Sequence, residues 1–209
     1  DSYELEAQLI GSSQEHYLTE IKSVIENATF TYVRQRKMLG LGHAILISEP
    51  LIGNQPFAVH LADDLCVTEG DNLLTKLTLL YKKFKCSIIA IEEVSIDQTE
   101  KYGIIAGDLI NGTNDCYRVN DMVEKPKSKD APTNMAIIGR YILTPDIFDI
   151  LRKTIPDSSG EIQLTDALLE QAKKGKVIAY KFNGKRFDCG SIKGFIEATN
   201  YFAKQEGII

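Results

Sequence analysis

Strand-like and helical segments alternate along most of this 209-residue chain, the pattern of an α/β protein. Three short polar stretches punctuate that pattern. Asp63-Asp64, Glu124-Lys125-Pro126 and Asp188-Cys189-Gly190 each sit just beyond a run that reads as a β-strand. Open α/β sheets place their ligand-binding groups at strand exits. Together the three stretches offer acidic groups for a divalent cation, a hydroxyl acceptor and a cation for a phosphate. That set fits a protein handling a sugar phosphate and a metal-bound nucleotide.

The periodicity predicts helix over Tyr3 to Asn27 in two pieces broken near Gly11, a short β-type run at Phe30 to Val33, and helix from Gly42 to Ser48. Phe57 to Leu61 reads as a strand apolar on both faces, expected to pair on each side. Leu73, Leu74, Leu77, Leu80 and Phe84 recur at helical spacing, and Ser87 to Val94 suits a buried strand. Three strands follow without long helices between them: Gly103 to Leu109, Tyr117 to Val123 and Ala136 to Leu143. Thr144-Pro145-Asp146 predicts a helix start with Thr as N-cap and Pro at the first helical position. Helix Leu164 to Lys174, strand Val177 to Phe182 and a last helix complete the chain. Ile192, Phe195, Ile196, Thr199 and Phe202 are expected to lay one face of that last helix on the core. With no internal repeat and no Pro/Gly-rich linker, one domain over residues 1–209 is the economical reading.

Composition narrows the partners. A net charge of −5 and pI of about 5.3 argue against an electrostatic grip on nucleic acid or anionic membrane. No stretch approaches the roughly 18 uninterrupted apolar residues of a membrane span. Cys66, Cys86, Cys116 and Cys189 have no CxxC spacing, and free thiols in a reducing cytoplasm are expected.

Each chemical candidate has a plain structural alternative. The Gln35 amide presents a donor beside an acceptor, the complement of a pyrimidine edge, and Gly40 and Gly42 allow backbone to approach a flat base; the same run also suits a glycine-containing turn. Asp63, Asp64 and Asp188 suit Mg²⁺, which takes one or two carboxylates plus phosphate and water oxygens; they also suit turns and helix caps. Glu124 can accept from sugar hydroxyls and Lys125 can neutralise a phosphate, unless the tripeptide is a solvated hairpin. Gly103, beside Tyr102, would admit a hexose. His43 and His60 read as packing or hydrogen-bonding residues, and no Ser/His/Asp or Cys/His grouping supports covalent chemistry.

In order along the chain stand Asp1-Ser2-Tyr3-Glu4-Leu5-Glu6, Arg34-Gln35, Gly40-Leu41-Gly42-His43-Ala44, Ala62-Asp63-Asp64, Tyr102-Gly103 and Val123-Glu124-Lys125-Pro126-Lys127. Asn134, Gly139-Arg140-Tyr141, Gly160-Glu161-Ile162-Gln163-Leu164-Thr165-Asp166-Ala167 and Asp188-Cys189-Gly190 follow. In these motifs the chain resembles the sugar-phosphate nucleotidyltransferase family, on its bacterial branch of UTP–glucose-1-phosphate uridylyltransferases. The resemblance implies a Rossmann-like mixed sheet flanked by helices, of nucleotide-diphospho-sugar transferase type. It implies that Gln35 and Gly40 hold uracil, that Asp63 and Asp188 bind Mg²⁺, that Gly103 and Glu124 contact glucose, and that Lys125 contacts the sugar's phosphate. Asp63, Lys125 and Asp188 are thereby the expected catalytic residues. Two positions depart from the family: Arg36 replaces the usual Gly, and Ala62 the usual Pro.

The implied reaction is direct displacement, in which glucose 1-phosphate attacks the α-phosphorus of UTP and UDP-glucose and pyrophosphate form, by positioning and charge neutralisation. A homo-oligomer is expected. The chain holds neither G-x-G-x-x-G nor G-x-x-x-x-G-K-[ST], and the family's Gly-x-Gly-Thr-Arg phosphate loop and N-terminal strands are expected to be absent from this sequence, which alone would then be a poor catalyst. The rival readings are a metal-dependent glycosyltransferase using UDP-sugar, and a truncated sugar-nucleotide-binding fragment without full activity.

Overall fold

The computed structural model describes residues 3–13 and 15–209, so Asp1 and Ser2 of the family motif lie outside it. Where the sequence suggests one nucleotidyltransferase domain over 1–209, the chain divides into two compact units, Asp1–Arg36 and Lys37–Ile209. In the first, helices α1 (Tyr3–Leu9) and α2 (His16–Asn27) pack against each other. Gly11 lies between them at φ 73°, a left-handed value open to glycine without steric cost, which explains the break expected there. The run Phe30 to Val33 forms no strand; Phe30, Tyr32 and Val33 are exposed. β-branched and aromatic residues favour a strand only where a neighbour supplies pairing and burial.

The larger unit runs α3 (Gly40–Leu46), α4 (Glu49–Ile52), β1 (Phe57–His60), β2 (Asp64–Val67), α5 (Leu73–Phe84), β3 (Ser87–Glu93), a 3₁₀ turn (Ile96–Lys101), β4 (Gly103–Leu109), β5 (Cys116–Glu124), β6 (Met135–Leu143), α6 (Ile147–Leu151), α7 (Leu164–Ala172), β7 (Val177–Lys181), β8 (Lys185–Asp188) and α8 (Ile192–Gln205). Six strands form a mixed sheet in the order β1-β6-β3-β7-β5-β4, with β6 also pairing β4. Only the β3–β7 pair is parallel.

The period-2 alternation of these strands divides the core between two faces. Ile89, Ile91, Leu143, Val177 and Ala179 pack with Ile45, Phe148, Leu151 and Leu168 from α3, α6 and α7. Ile88, Ala90, Ile138, Ile142 and Ile178 pack with Leu73, Leu77 and Leu80 of α5. Helix α5 is well delimited: the Asn72 side chain accepts from the Leu74 N–H at 2.8 Å, and Lys85 ends it in the left-handed region.

Four local expectations are corrected. First, β1 alternates half-buried Phe57 and Val59 with exposed Ala58 and His60, and among the described residues it pairs with β6 alone. Second, Thr144 does not cap α6. Its hydroxyl accepts from Gln171 Nε2 at 3.0 Å and meets Ser87 Oγ at 3.1 Å, because burying Ser87 and Gln171 demands polar partners there. Third, the apolar stripe of α8 does not lie on the core: Ile192, Phe195 and Ile196 are 84%, 61% and 52% exposed. Ser191 caps the helix by accepting from the Gly194 N–H, and a Cβ on Gly194 would overlap the Asp188 carbonyl. That close approach turns the small face, Gly194 and Ala198, inward. Fourth, β2 and β8, each only four residues long, pair with each other as a separate antiparallel ribbon instead of joining the main sheet.

Candidate functional site

The ribbon brings two distant carboxylates together. Asp64 pairs with Asp188 in its register, and the Cys189 N–H donates to the Asp63 carbonyl at 2.7 Å. Asp63 Oδ2 and Asp188 Oδ1 each lie 3.1 Å from the point a Cβ on Gly190 would occupy, and Asp188 Oδ1 accepts from the Gly190 N–H at 3.1 Å, so both carboxylates lie beside Gly190. Adjacent Asp64 behaves differently. It is 5% exposed, Oδ2 accepting from the Gly139 N–H at 2.6 Å and Oδ1 from Arg186 Nε at 2.5 Å. The ribbon's turn sends one aspartate of the pair toward solvent and the other inward, a division the sequence does not reveal.

Arg186 is the residue that sequence reasoning missed. Its side chain is 8% exposed, and besides Asp64 it reaches Glu92 at 2.6 Å, the Tyr102 hydroxyl at 3.3 Å and Asp188 at 3.9 Å. Its guanidinium also lies 5.0 Å from the centre of the Tyr102 ring. Burial opposes its charge, but hydrogen bonds to Tyr102 and Asp64 and the charges of Asp64 and Glu92 outweigh burial and raise its pKa. For the Tyr102 phenol, by contrast, burial disfavours the charged form and so raises the pKa. One signal in the sequence could have found it: two-residue spacing in Arg186-Phe187-Asp188 puts arginine and aspartate on one face of a strand.

At the other end, Gly103 opens β4 in register with Glu124, the last residue of β5. A Cβ on Gly103 would lie 2.7 Å from Thr165 Oγ1 and 3.1 Å from Glu124 Oε2, so this backbone is bare because side chains of α7 and β5 crowd it. Thr165, 8% exposed, donates its hydroxyl to Glu124 Oε2 at 2.6 Å. Lys125 Nζ lies 3.6 Å from Glu124 Oε1 with its side chain 54% exposed. Lys125 takes φ 45°, an uncommon conformation for a residue with a Cβ. Its N–H donates to the Tyr102 carbonyl at 3.0 Å, which holds this backbone in place ahead of Pro126.

These groups line one cleft of about 360 Å³, with Asp63 and Asp188 on one wall, Gly103, Glu124 and Lys125 on another, and Leu41, Glu161 and Gln163 also contributing. Gly40 (φ 82°) begins α3 beside it: the Ile162 N–H donates to the Leu39 carbonyl and the Gly42 N–H to the Ile162 carbonyl, both at 2.9 Å, and a Cβ on Gly40 would come 2.9 Å from Glu161 Cβ. The cleft thus gathers Asp63, Asp188, Gly103, Glu124 and Lys125, with Gly40 next to Leu41 on its wall. Gln35 belongs to the other unit.

The donors suit a hard cation. Two carboxylates lie beside Gly190, and among the described residues no group of three His, Cys, Asp or Glu side chains gathers to cage a metal. Mg²⁺ is commonly held by one or two carboxylates with phosphate and water oxygens completing its shell.

A mixed sheet between helical layers, with a cleft carrying two carboxylates, a lysine and a glycine edge, defines an α/β architecture with a polar cleft. The family described as nucleotidyl transferase matches residues 8–205. The chain is 59% identical to a UTP–glucose-1-phosphate uridylyltransferase of Pseudomonas aeruginosa, over 96% of this chain and 71% of the relative. It superimposes on a crystal structure of apo UDP-glucose pyrophosphorylase with a TM-score of 0.92 at 54% identity, covering 99% of this chain and 75% of that one. For a UDP-glucose pyrophosphorylase complexed with UDP-glucose the TM-score is 0.87 at 54% identity, covering 92% and 72%. The chain belongs to the nucleotidyl transferase family.

Proposed function

We propose that this protein is a uridylyltransferase making UDP-glucose and pyrophosphate from UTP and glucose 1-phosphate. The observation that carries the reading is the convergence of Asp63 and Asp188 beside Gly190 in a cleft whose other wall holds Glu124 and Lys125. The high identity to a named uridylyltransferase supports it.

In this reading Gly103 and Glu124 receive glucose, the Glu124 carboxylate, held by the Thr165 hydroxyl, accepting from its hydroxyls. Lys125 draws its ammonium to the sugar's phosphate and fixes that oxygen for in-line attack on the α-phosphorus. Gly40, at the start of α3 beside the cleft, meets the uracil. Asp63 and Asp188 would hold Mg²⁺, which would supply positive charge beside the phosphates. No side chain forms a covalent intermediate; the protein supplies position and charge.

Incubation with UTP, glucose 1-phosphate and Mg²⁺ is expected to release pyrophosphate and UDP-glucose. Transfer of glucose from UDP-glucose to an acceptor, with release of free UDP, would instead make it a glycosyltransferase. Saturable UDP-glucose binding with neither product would leave a binding fragment. A cytoplasmic location and a homo-oligomer belong to the same proposal: the four cysteines are free, and self-association would cover the exposed apolar stripe of α8. Light scattering that returns the mass of one chain would remove the oligomer.

Thr165 gives this reading a test at the sugar. Thr165→Val keeps the shape but removes the hydroxyl from Glu124, leaving the carboxylate free to turn. The KM for glucose 1-phosphate is expected to rise roughly tenfold, the effect of one hydrogen bond to a charged group, with the KM for UTP unchanged. Equal rises in both constants would remove Thr165 from the sugar end.

A further inference from the structure

Two halves of the cleft come from parts of the chain with no local connection: the carboxylates from the β2–β8 ribbon, and the bare edge of β4 with Glu124 and Lys125 from the main sheet. Among the described residues, Arg186 and Tyr102 make hydrogen bonds that link the two. Arg186 stands on β8, two residues before Asp188, and binds Asp64 of β2 and Glu92 of β3. Its Nη1–H donates to the Tyr102 hydroxyl, and that hydroxyl donates to Asp188 Oδ2, both at 3.3 Å. The Tyr102 carbonyl accepts from the Lys125 N–H, and the next residue is Gly103. A continuous hydrogen-bonded path therefore runs from Asp188 through Tyr102 to the backbone of Lys125, anchored by Arg186 in the ribbon and in β3.

The charges are sorted by the same residue. Three carboxylates surround Arg186, those of Asp64, Glu92 and Asp188, with Asp63 beside Asp188 at Gly190. Arg186 makes close ion pairs with Asp64 and Glu92, at 2.5 and 2.6 Å, but stays 3.9 Å from Asp188. Asp63 and Asp188 are thus the two carboxylates left beside Gly190.

We propose that Arg186, acting through the Tyr102 hydroxyl, is the positioning residue that orients the Asp188 carboxylate for a divalent cation and ties it to the sugar-binding edge of the sheet. This rests on the proposed metal role of Asp63 and Asp188. A guanidinium fork suits the task, because its planar donors fix direction as well as charge, whereas a lysine would supply the charge alone. Residues around a ligating carboxylate commonly tune affinity in this way.

The test uses Mn²⁺ as the probe, titrated into the protein with saturating UDP-glucose and followed by electron paramagnetic resonance. The unsubstituted protein is expected to show one saturable site, and Asp63→Asn and Asp188→Asn to abolish it. Absence of that site, or its survival in both variants, would overturn the metal reading and this proposal with it. Tyr102→Phe keeps the ring under Arg186 and removes only the hydroxyl. It is expected to weaken Mn²⁺ roughly tenfold, as for loss of one hydrogen bond to a carboxylate, with an unchanged thermal midpoint. Arg186→Lys is expected to weaken it at least as much, even at temperatures where its folded fraction matches that of the unsubstituted protein. If the aspartate variants lose the site while Tyr102→Phe and folded Arg186→Lys keep full Mn²⁺ affinity, the metal reading stands and the positioning role is wrong.

Discussion

Replacing Lys125 with alanine is expected to lower kcat/KM for glucose 1-phosphate by about 2–4 kcal/mol of transition-state stabilisation, a loss of roughly 30- to 1,000-fold. The ammonium lies 3.6 Å from Glu124 at the cleft wall with its side chain 54% exposed, so it can leave that partner for a phosphate. A surface ion pair of this kind contributes little to stability, and the fold should survive the change. The left-handed backbone at Lys125, φ 45°, aims the side chain, and alanine there keeps the same backbone cost. Glu124→Gln should differ in kind: it retains an acceptor for the sugar and for Thr165, and mainly raises the KM for glucose 1-phosphate. Pyrophosphate release measured across glucose 1-phosphate concentrations separates the two. A Lys125→Ala protein with unchanged kcat/KM would refute the phosphate role.

The second large effect divides two adjacent aspartates. Asp64→Ala leaves Arg186 buried without its closest partner and strips the Gly139 N–H of its acceptor. Breaking a buried charge pair from one side costs about 3–5 kcal/mol, which at 2–4 °C per kcal/mol for a chain of this size lowers Tm by roughly 6–20 °C. Asp63→Asn should do the reverse. Asp63 is exposed and lies beside Gly190, so its loss should leave Tm nearly unchanged and cut turnover roughly a hundredfold or more, the scale of a catalytic metal's contribution. Calorimetry and the pyrophosphate assay on both variants test the assignment. A destabilised Asp63→Asn, or a stable and inactive Asp64→Ala, would invert it.

Much of the fold was legible because it depends on local patterning. The apolar spacing of α5 and the β-branched runs of β3 and β6 mark elements whose burial follows from periodicity alone. The three strand-exit stretches were legible for a related reason: strands end where polar and turn-forming residues begin, and ligand groups of open sheets gather there.

What remained hidden was set by contacts across long separations. Nothing local distinguishes Asp63 from Asp64; both line the cleft, but the ribbon pairs Asp64 with Asp188 and buries its carboxylate against Arg186 and the Gly139 N–H, leaving Asp63 exposed. The α8 stripe misled for the same reason. An amphipathic pattern tells which face is apolar, but the close approach of Gly194 to the ribbon decided which face turned inward. Thr144 has the composition of a cap and serves a buried polar cluster with Ser87 and Gln171 instead. The sequence by itself determined an α/β sheet, its principal strands and helices, and the residue types at its exits. Only the tertiary structure decided which carboxylates of the cleft are buried and which exposed, that Arg186 organises them, and that Thr165 holds Glu124, because a carboxylate's role follows from the partners it meets and not from its place in the chain.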